Sequence, residues 1–158
     1  MIVVGDASVL IALDGIDAIF LLPALYGEVH VPPAVWQEVF GTKSPRPIPA
    51  PAWLIRHAAP AASPTGLVPD RLDPGETEAI HLALELRADL LLIDESAGRR
   101  AAQRLGISIT GVLGVLAAGK HRGFVKAAAP LILKLRHSGF WLSDGLVRQV
   151  LRDLGENT

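Results

Sequence analysis

The stretch Gly75 to Glu95, GETEAIHLALELRADLLLIDE, constrains the chain most, because it reads as one helix followed at once by one buried strand. Ala79, Ile80, Ala83 and Leu84 recur at helical spacing, flanked by Leu82 and Leu86. Asp73 and Pro74 offer a cap and a first-turn proline, and Glu76 and Glu78 lie where the helix dipole favours negative charge. Leu90 to Ile93 is apolar at every position, which suits a strand covered on both faces and so belonging to a parallel sheet. A helix of about 11 residues rises roughly 16 Å, and a strand of about five residues returns the same distance. The unit therefore brings Glu76 and Glu78 to the edge that carries Asp94 and Glu95, the carboxyl edge where open α/β sheets bind ligands.

The rest of the chain repeats this alternation. Ile2 to Gly5 is a short apolar run with Asp6 at its carboxyl end, and Val9 to Leu13 continues as a helix for which Ser8 or Asp6 is the cap. Asp17 to Leu25 reads as a second helix and Glu28 to Val31 as a brief strand. Pro32 and Pro33 then open a helix that carries Glu38 and stops at Gly41. Thr42 to Pro51 is proline-rich and aperiodic, a loop or flap within one domain spanning residues 1–158, since the apolar patterns on either side need a shared core. Trp53 to His57 is a short extended piece, and Pro60 to Pro69 a further loop. Beyond the central unit come a basic helix (Ser96 to Leu105), a strand (Ile107 to Ile109) and three helices: Val112 to Ala118, Ala127 to His137, and Leu146 to Leu154 capped by Ser143 or Asp144. The predicted fold class is α/β, a three-layer α/β/α sandwich around a central parallel sheet.

With 158 residues, 50% of them apolar and 20% charged, the composition is that of a globular domain. The absence of cysteine excludes a disulfide framework, thiolate metal ligands and a thiol nucleophile, and fits a reducing cytoplasm. Asp6, Asp14 and Asp17 interrupt the apolar N-terminal stretch and no basic segment precedes it, so neither a signal peptide nor a membrane span is expected there. A formal net charge of −1 means that a nucleic-acid partner would have to be held by local patches.

Asp6 and Asp94 each end a predicted strand, and parallel strands put both at one edge. Glu76 is delivered there by its helix, and Glu38 needs only a helix starting from the same edge. Taken singly, each acid has an ordinary explanation: Asp6 and Asp94 as helix caps, Glu38 as a solvated helix residue, Glu76 and Glu78 as partners of the helix dipole. Together they would repel unless a cation joined them. Hard oxygen donors without a His or Cys set indicate Mg²⁺ or Mn²⁺, ions that stabilise an attacking hydroxide and the charge developing on a phosphodiester. Arg99 and Arg100, one turn beyond Asp94, could grip phosphates or form a solvated helix face. Lys120, His121 and Arg122 suit a helix C-terminus. Lys43 and Arg46 are loop charges, and Trp36, Trp53 and Trp141 are too scattered for a stacking platform, so core or interface roles are expected of them. The histidines show no metal spacing, and His81 reads as a surface residue.

The segments DASVLIAL, VWQEVF, LDPGETEAI, ALELRADLLLIDE and GRRAAQRLGISITGVLGVL together resemble the PIN domain, and more closely its DUF3368 subgroup of VapC-like proteins, over about residues 1 to 155. The resemblance implies a metal-dependent ribonuclease acting on single-stranded RNA, often the toxin half of a toxin–antitoxin pair. It also implies a homodimer, for which the Asp17 to Leu25 segment and the surroundings of Trp36 are candidate surfaces, and an antitoxin that inserts a segment into the acidic site. It implies Asp6, Glu38, Glu76 and Asp94 as the catalytic, metal-holding acids, with Ser8, Arg99 and Arg100 contacting nucleic acid. The commonest pattern has Asp at the third acid, where this chain has Glu76 with Glu78 as its alternative, and Thr or Ser just before the fourth, where it has Leu92-Ile93. That departure motivates a second expectation, a catalytically inactive module of the same fold that binds RNA or protein. A receiver or haloacid-dehalogenase-like phosphatase is disfavoured, because Ser8 stands where a second Asp is needed and no lysine sits at a later strand end.

Overall fold

The computed structural model describes residues 1–41, 50–60, 68 and 72–156. Its centre is a five-stranded, all-parallel sheet in the order β3-β2-β1-β4-β5, formed by β1 (Val3–Gly5), β2 (Val29–Val31), β3 (Leu54–Arg56), β4 (Leu90–Leu92) and β5 (Ile109–Thr110). The helices are α1 (Ala7–Gly15), α2 (Leu21–Tyr26), α3 (Pro33–Phe40), α4 (Pro74–Leu86), α5 (Ser96–Arg104), α6 (Val112–His121), α7 (Ala129–His137) and α8 (Asp144–Asp153). No described helix is long and apolar enough to cross a membrane. The chain runs outward from β1 through β2 to β3, then returns to the other side of β1 for β4 and β5. The order therefore reverses between β1 and β4, and the crevice beyond their carboxyl ends is where such a sheet binds ligands.

Register fixes which residues meet at that crevice. Val3, Val4 and Gly5 pair with Leu90, Leu91 and Leu92, and the Asp6 N–H donates to the Leu92 carbonyl at 2.9 Å. Asp6 thus stands level with Ile93, and Asp94 falls one residue further, on the alternate side of its strand. Both central strands are apolar on both faces because helices cover both. Val3, Val4, Leu91, Leu92 and Ile93 are fully buried in a core shared with Leu10 and Leu13 of α1, Leu21 of α2, Ile80 of α4 and Leu116 of α6. This is the expected α/β/α sandwich.

The central unit follows its sequence signals closely. Asp73 Oδ1 accepts the Glu76 N–H at 2.7 Å, Pro74 is the first helical residue, and α4 ends where Arg87 adopts a left-handed conformation (φ 51°). Ser143 caps α8 as expected, accepting the Leu146 N–H at 3.2 Å. Several boundaries differ: α1 and α8 each begin two residues earlier than expected, α6 runs on past Ala118 to His121, and three others have a visible cause. The helix expected from Asp17 begins only at Leu21, because Asp17 itself takes a positive φ of 57° that breaks the run between α1 and α2. The last strand lies at Ile109–Thr110 rather than Ile107–Ile109, so Thr110 pairs with Leu92 and Gly111 alone precedes α6. The helix expected from Ala127 starts at Ala129, where the Glu156 carboxylate accepts the N–H groups of Ala128 and Ala129 at 2.8 and 3.0 Å. Of the expected loops, residues 42–49, 61–67 and 69 lie outside the described residues, and Lys43 and Arg46 with them.

Leu92 is fully buried between the helical layers. Leu92→Ala should lower unfolding free energy by about 2–5 kcal/mol in urea denaturation, whereas Leu133→Ala, at a side chain 56% exposed, should change it by less than about 0.5 kcal/mol.

Candidate acidic site at the sheet edge

Asp6 occupies the N-cap position of α1, yet its carboxylate makes no capping bond. Instead Asp6 Oδ2 accepts the Ser8 hydroxyl at 2.9 Å, and the residue is 3% exposed. Glu76, in the first turn of α4, is 6% exposed. Glu38 projects from α3 onto the start of α4, where its Oε1 lies so close to Gly75 that a Cβ there would overlap it. The glycine thus leaves the Glu38 carboxylate room beside the cap residue Asp73. Glu95 sits at the N-cap of α5 without a capping bond of its own. These five acids converge from four different parts of the chain, as a parallel sheet with helices returning to one edge requires.

Their charges act on one another. Burial raises the Asp6 carboxyl, and the charge of Asp73 adds to the rise, while the Ser8 hydroxyl and the N–H groups of Ala7 and Ser8 oppose it. Burial and the charges of Asp73 and Asp6 raise Glu38. Glu76 is pushed up to about 8, first by burial, then by its contact with Asp73 and by the charges of Asp73, Asp6 and Glu95. Among the described residues, no positive side chain offsets these effects at Asp6, Glu38 or Glu76.

Asp94 is differently placed. Its Oδ2 accepts the Val112 N–H at 2.8 Å, at the start of α6, and its Oδ1 lies 3.8 Å from Nη1 of Arg99. Burial raises its pKa; the Val112 bond and Arg99 lower it. Gly111 has no room for a Cβ beside this carboxylate. The alternate-side position that follows from strand register turns Asp94 toward α6 rather than toward Asp6. Of the two glutamates in the GETE segment, Glu76 joins the acids, whereas Glu78 Oε1 accepts the Ala34 N–H at 3.3 Å and ties α4 to the first turn of α3. Arg99 is partly exposed and Arg100 fully so.

The acids open into a cleft of about 760 Å³, lined by Asp6, Ser8, Glu38, Asp73 and Glu95 and also by Ile11, Phe40, Trp53 and Phe140. Asp73 reads in sequence as a cap and is one, but its carboxylate also faces the cleft. The cap signal hid the second role. Trp53 and Phe140, far apart in sequence, carried no local signal at all. Trp141 is 82% exposed, and Trp36 pairs with Phe40 at a ring separation of 4.9 Å. Lys120 does not serve its own helix end; it holds the Leu154 carbonyl at 3.0 Å and Glu156 at 2.9 Å. Away from the site, His30 Nδ1 and His57 Nε2 lie 2.7 Å apart, a pairing made by adjacent strands.

The donor set is oxygen-only and, among the described residues, lacks a counter-charge, which is the chemistry that suits a hard divalent ion. Its spacing is wider than a coordination sphere: among the described residues, no three His, Cys, Asp or Glu side chains form a group that could hold a metal ion. The acids are close enough to raise one another's pKa.

Because Glu76 binds its proton more tightly folded than unfolded, the folded protein carries more protons between the ordinary glutamate pKa of 4.5 and about 8. Metal-free stability should therefore fall as pH rises through that window. Thermal melts in a chelator should show this decline, and Glu76→Gln should flatten it and raise the melting temperature at pH 8.

No curated protein and no solved structure shows a match to the chain. The DUF3368 family model, described as a PIN domain, matches residues 2–156. PIN domains are generally nucleases and usually use divalent metals. That match covers nearly the whole length, and with the five-stranded parallel sheet it settles the classification: the chain belongs to the DUF3368 family of PIN domains.

Proposed function

We propose that this protein is a Mg²⁺- or Mn²⁺-dependent endoribonuclease that hydrolyses phosphodiesters of single-stranded RNA. The observation that carries the reading is the convergence of Asp6, Glu38 and Glu76 at one edge, where burial and neighbouring negative charge raise all three and no cation among the described residues offsets the rise. A cluster so costly to leave uncompensated is relieved by a divalent ion.

In this reading Asp6, Glu38 and Glu76 would hold the ion and Asp94 would contribute beside them, while its Oδ2 accepts the Val112 N–H and its Oδ1 lies near Arg99. When bound, the ion would supply Lewis acidity for a water attacking phosphorus and a counter-charge for the departing ribose oxygen. Ser8 fixes the orientation of Asp6 by its hydrogen bond. Glu76 surrenders its proton when the site is filled, so metal affinity should climb between pH 6 and 8. Arg99, with Arg100 beyond it, meets the phosphate backbone at the rim. The family resemblance extends the proposal to the toxin of a toxin–antitoxin pair, working as a homodimer and held inactive by an antitoxin.

A second reading, a binding module of the same fold without turnover, has a specific observation in its favour. Asp94 Oδ2 is already bonded to the Val112 N–H, and the described acids do not close around an ion.

Cleavage assays separate the two. Single-stranded RNA should be cut in Mn²⁺ and spared in chelator, with Asp6→Asn lowering the rate by roughly 10²–10³-fold. RNA bound but never cut in either ion would establish the binding module. Arg99→Ala should weaken RNA binding and reduce the dependence of log K on log salt by about 1, read by fluorescence anisotropy across a salt series.

A further inference from the structure

Besides the acids the cleft is lined by aromatic side chains, and what that aromatic part of the lining is for does not follow from phosphodiester chemistry. We infer that it is a nucleobase subsite, in which Phe40, Trp53 and Phe140 receive one unstacked base of the single strand next to the bond being cut. The inference rests on the ribonuclease reading for its choice of substrate.

Three observations point to a base. First, the three aromatic residues come from three separate elements, the end of α3, the approach to β3 and the α7–α8 connection, yet they line one cleft of about 760 Å³. That size lies in the range of small-ligand pockets, and aromatic faces are what an unstacked base seeks. Second, the wall is braced. Phe40 packs on Trp36 at 4.9 Å, and Trp36 lies under the Arg56 guanidinium at 5.3 Å. The Phe140 N–H donates to the Leu135 carbonyl at 3.3 Å, and the preceding Gly139 takes a φ of 92° that places it there. Third, the charge is wrong for a phosphate. Asp6, Glu38, Asp73 and Glu95 line the cleft with their carboxylates, and none of its described lining residues is a Lys, Arg or His. A neutral heterocycle enters such a trough without repulsion, and the exocyclic amino groups of adenine, cytosine and guanine can donate to carboxylate oxygens. The phosphate being cut would meet the acids through their ion, and the flanking phosphates stay at the rim, on the side of Arg99.

Uncharged nucleosides test the subsite without metal or turnover. Adenosine and cytidine, titrated into the metal-free wild-type chain, should shift the Ile11 methyl resonance and quench Trp53 in a Trp36→Phe, Trp141→Phe background, and ribose should do neither. Phe140→Ala should weaken that binding roughly tenfold and raise KM for RNA cleavage with kcat unchanged. Equal shifts from ribose, or a Phe140→Ala chain that binds adenosine as wild type does, would overturn the subsite. So would a synthetic Arg- and Leu-containing peptide that moves Ile11 where nucleosides do not, because the cleft would then be built for a protein segment. The methyl readout needs no substitution, so it stands if the double Trp variant does not fold. Loss of cleavage in Asp6→Asn together with an inert Phe140→Ala would leave the nuclease standing without the subsite. Nucleoside binding in a chain that never cuts RNA would leave the subsite standing without the nuclease.

Discussion

The pairing of β1 with β4 is the constraint on which the molecule depends. These strands are neighbours in the sheet although almost the whole first half of the sequence separates them, and their register is fixed at three consecutive pairs. That pairing makes the reversal in strand order, and the reversal makes the crevice. It also sets Asp6 level with Ile93, one step out of phase with Asp94. A slip of one residue would exchange the faces of both acids, and the continuous apolar runs on each strand would not object, since both faces are covered. Register here is held by what lies beyond the strands: the Asp6 N–H on the Leu92 carbonyl, and the Ile93 N–H on the Thr110 carbonyl at 2.9 Å.

From that geometry the electrostatics follow. Helices that begin at the carboxyl edge of a parallel sheet present unsatisfied N–H groups there, and those groups attract carboxylates. Asp73 answers α4, and Asp94 answers α6 across the chain. Asp6 and Glu95 occupy the cap positions of α1 and α5 but leave those helices without a side-chain cap. The chain forgoes two caps, each ordinarily worth about 1 kcal/mol, at the place where it gathers negative charge. Two uncapped helices pointing at uncompensated acids are poor choices for stability alone, and they fit an edge shaped for chemistry.

Much of this was legible in sequence because the strongest local signals were also the ones the fold used. The Asp73-Pro74 cap, the apolar Leu90 to Ile93 run and the strand-then-acid pattern at Asp6 predicted the right elements, and alternation predicted a parallel sheet. What was not legible was nonlocal. Asp94 looks equivalent to Asp6, since both end an apolar strand, and only the fold gives them different partners, Ser8 for Asp6 and Val112 with Arg99 for Asp94. Glu76 and Glu78 are two residues apart on one helix, and the position of α3 decides that one joins the acids while the other bonds Ala34. Trp53 and Phe140 share a cleft only after β3 and the α7–α8 connection have been placed. The break at Asp17 was hidden for a different reason: a positive φ at an aspartate is a local conformational choice that hydrophobic spacing does not register.

The folded state holds these acids because the aliphatic core can bear the load. Leu10, Leu13, Leu91, Leu92 and Ile93 are excluded from water directly beneath the acidic edge, and each fully buried side chain of this kind contributes about 1.5–3 kcal/mol. The same burial that anchors the strands desolvates Asp6 and Glu76, so stabilisation of the core and destabilisation of the site share one physical origin. The Glu76 carboxyl, pushed up to about 8, is one expression of that conflict. A substitution that made the edge comfortable without an ion, by removing an acid or inserting a cation, would stabilise the fold and abolish the field that the site provides. The tension between the apolar floor and the acidic rim is therefore a requirement of the arrangement, and the surplus stability of the sheet is what makes it tolerable.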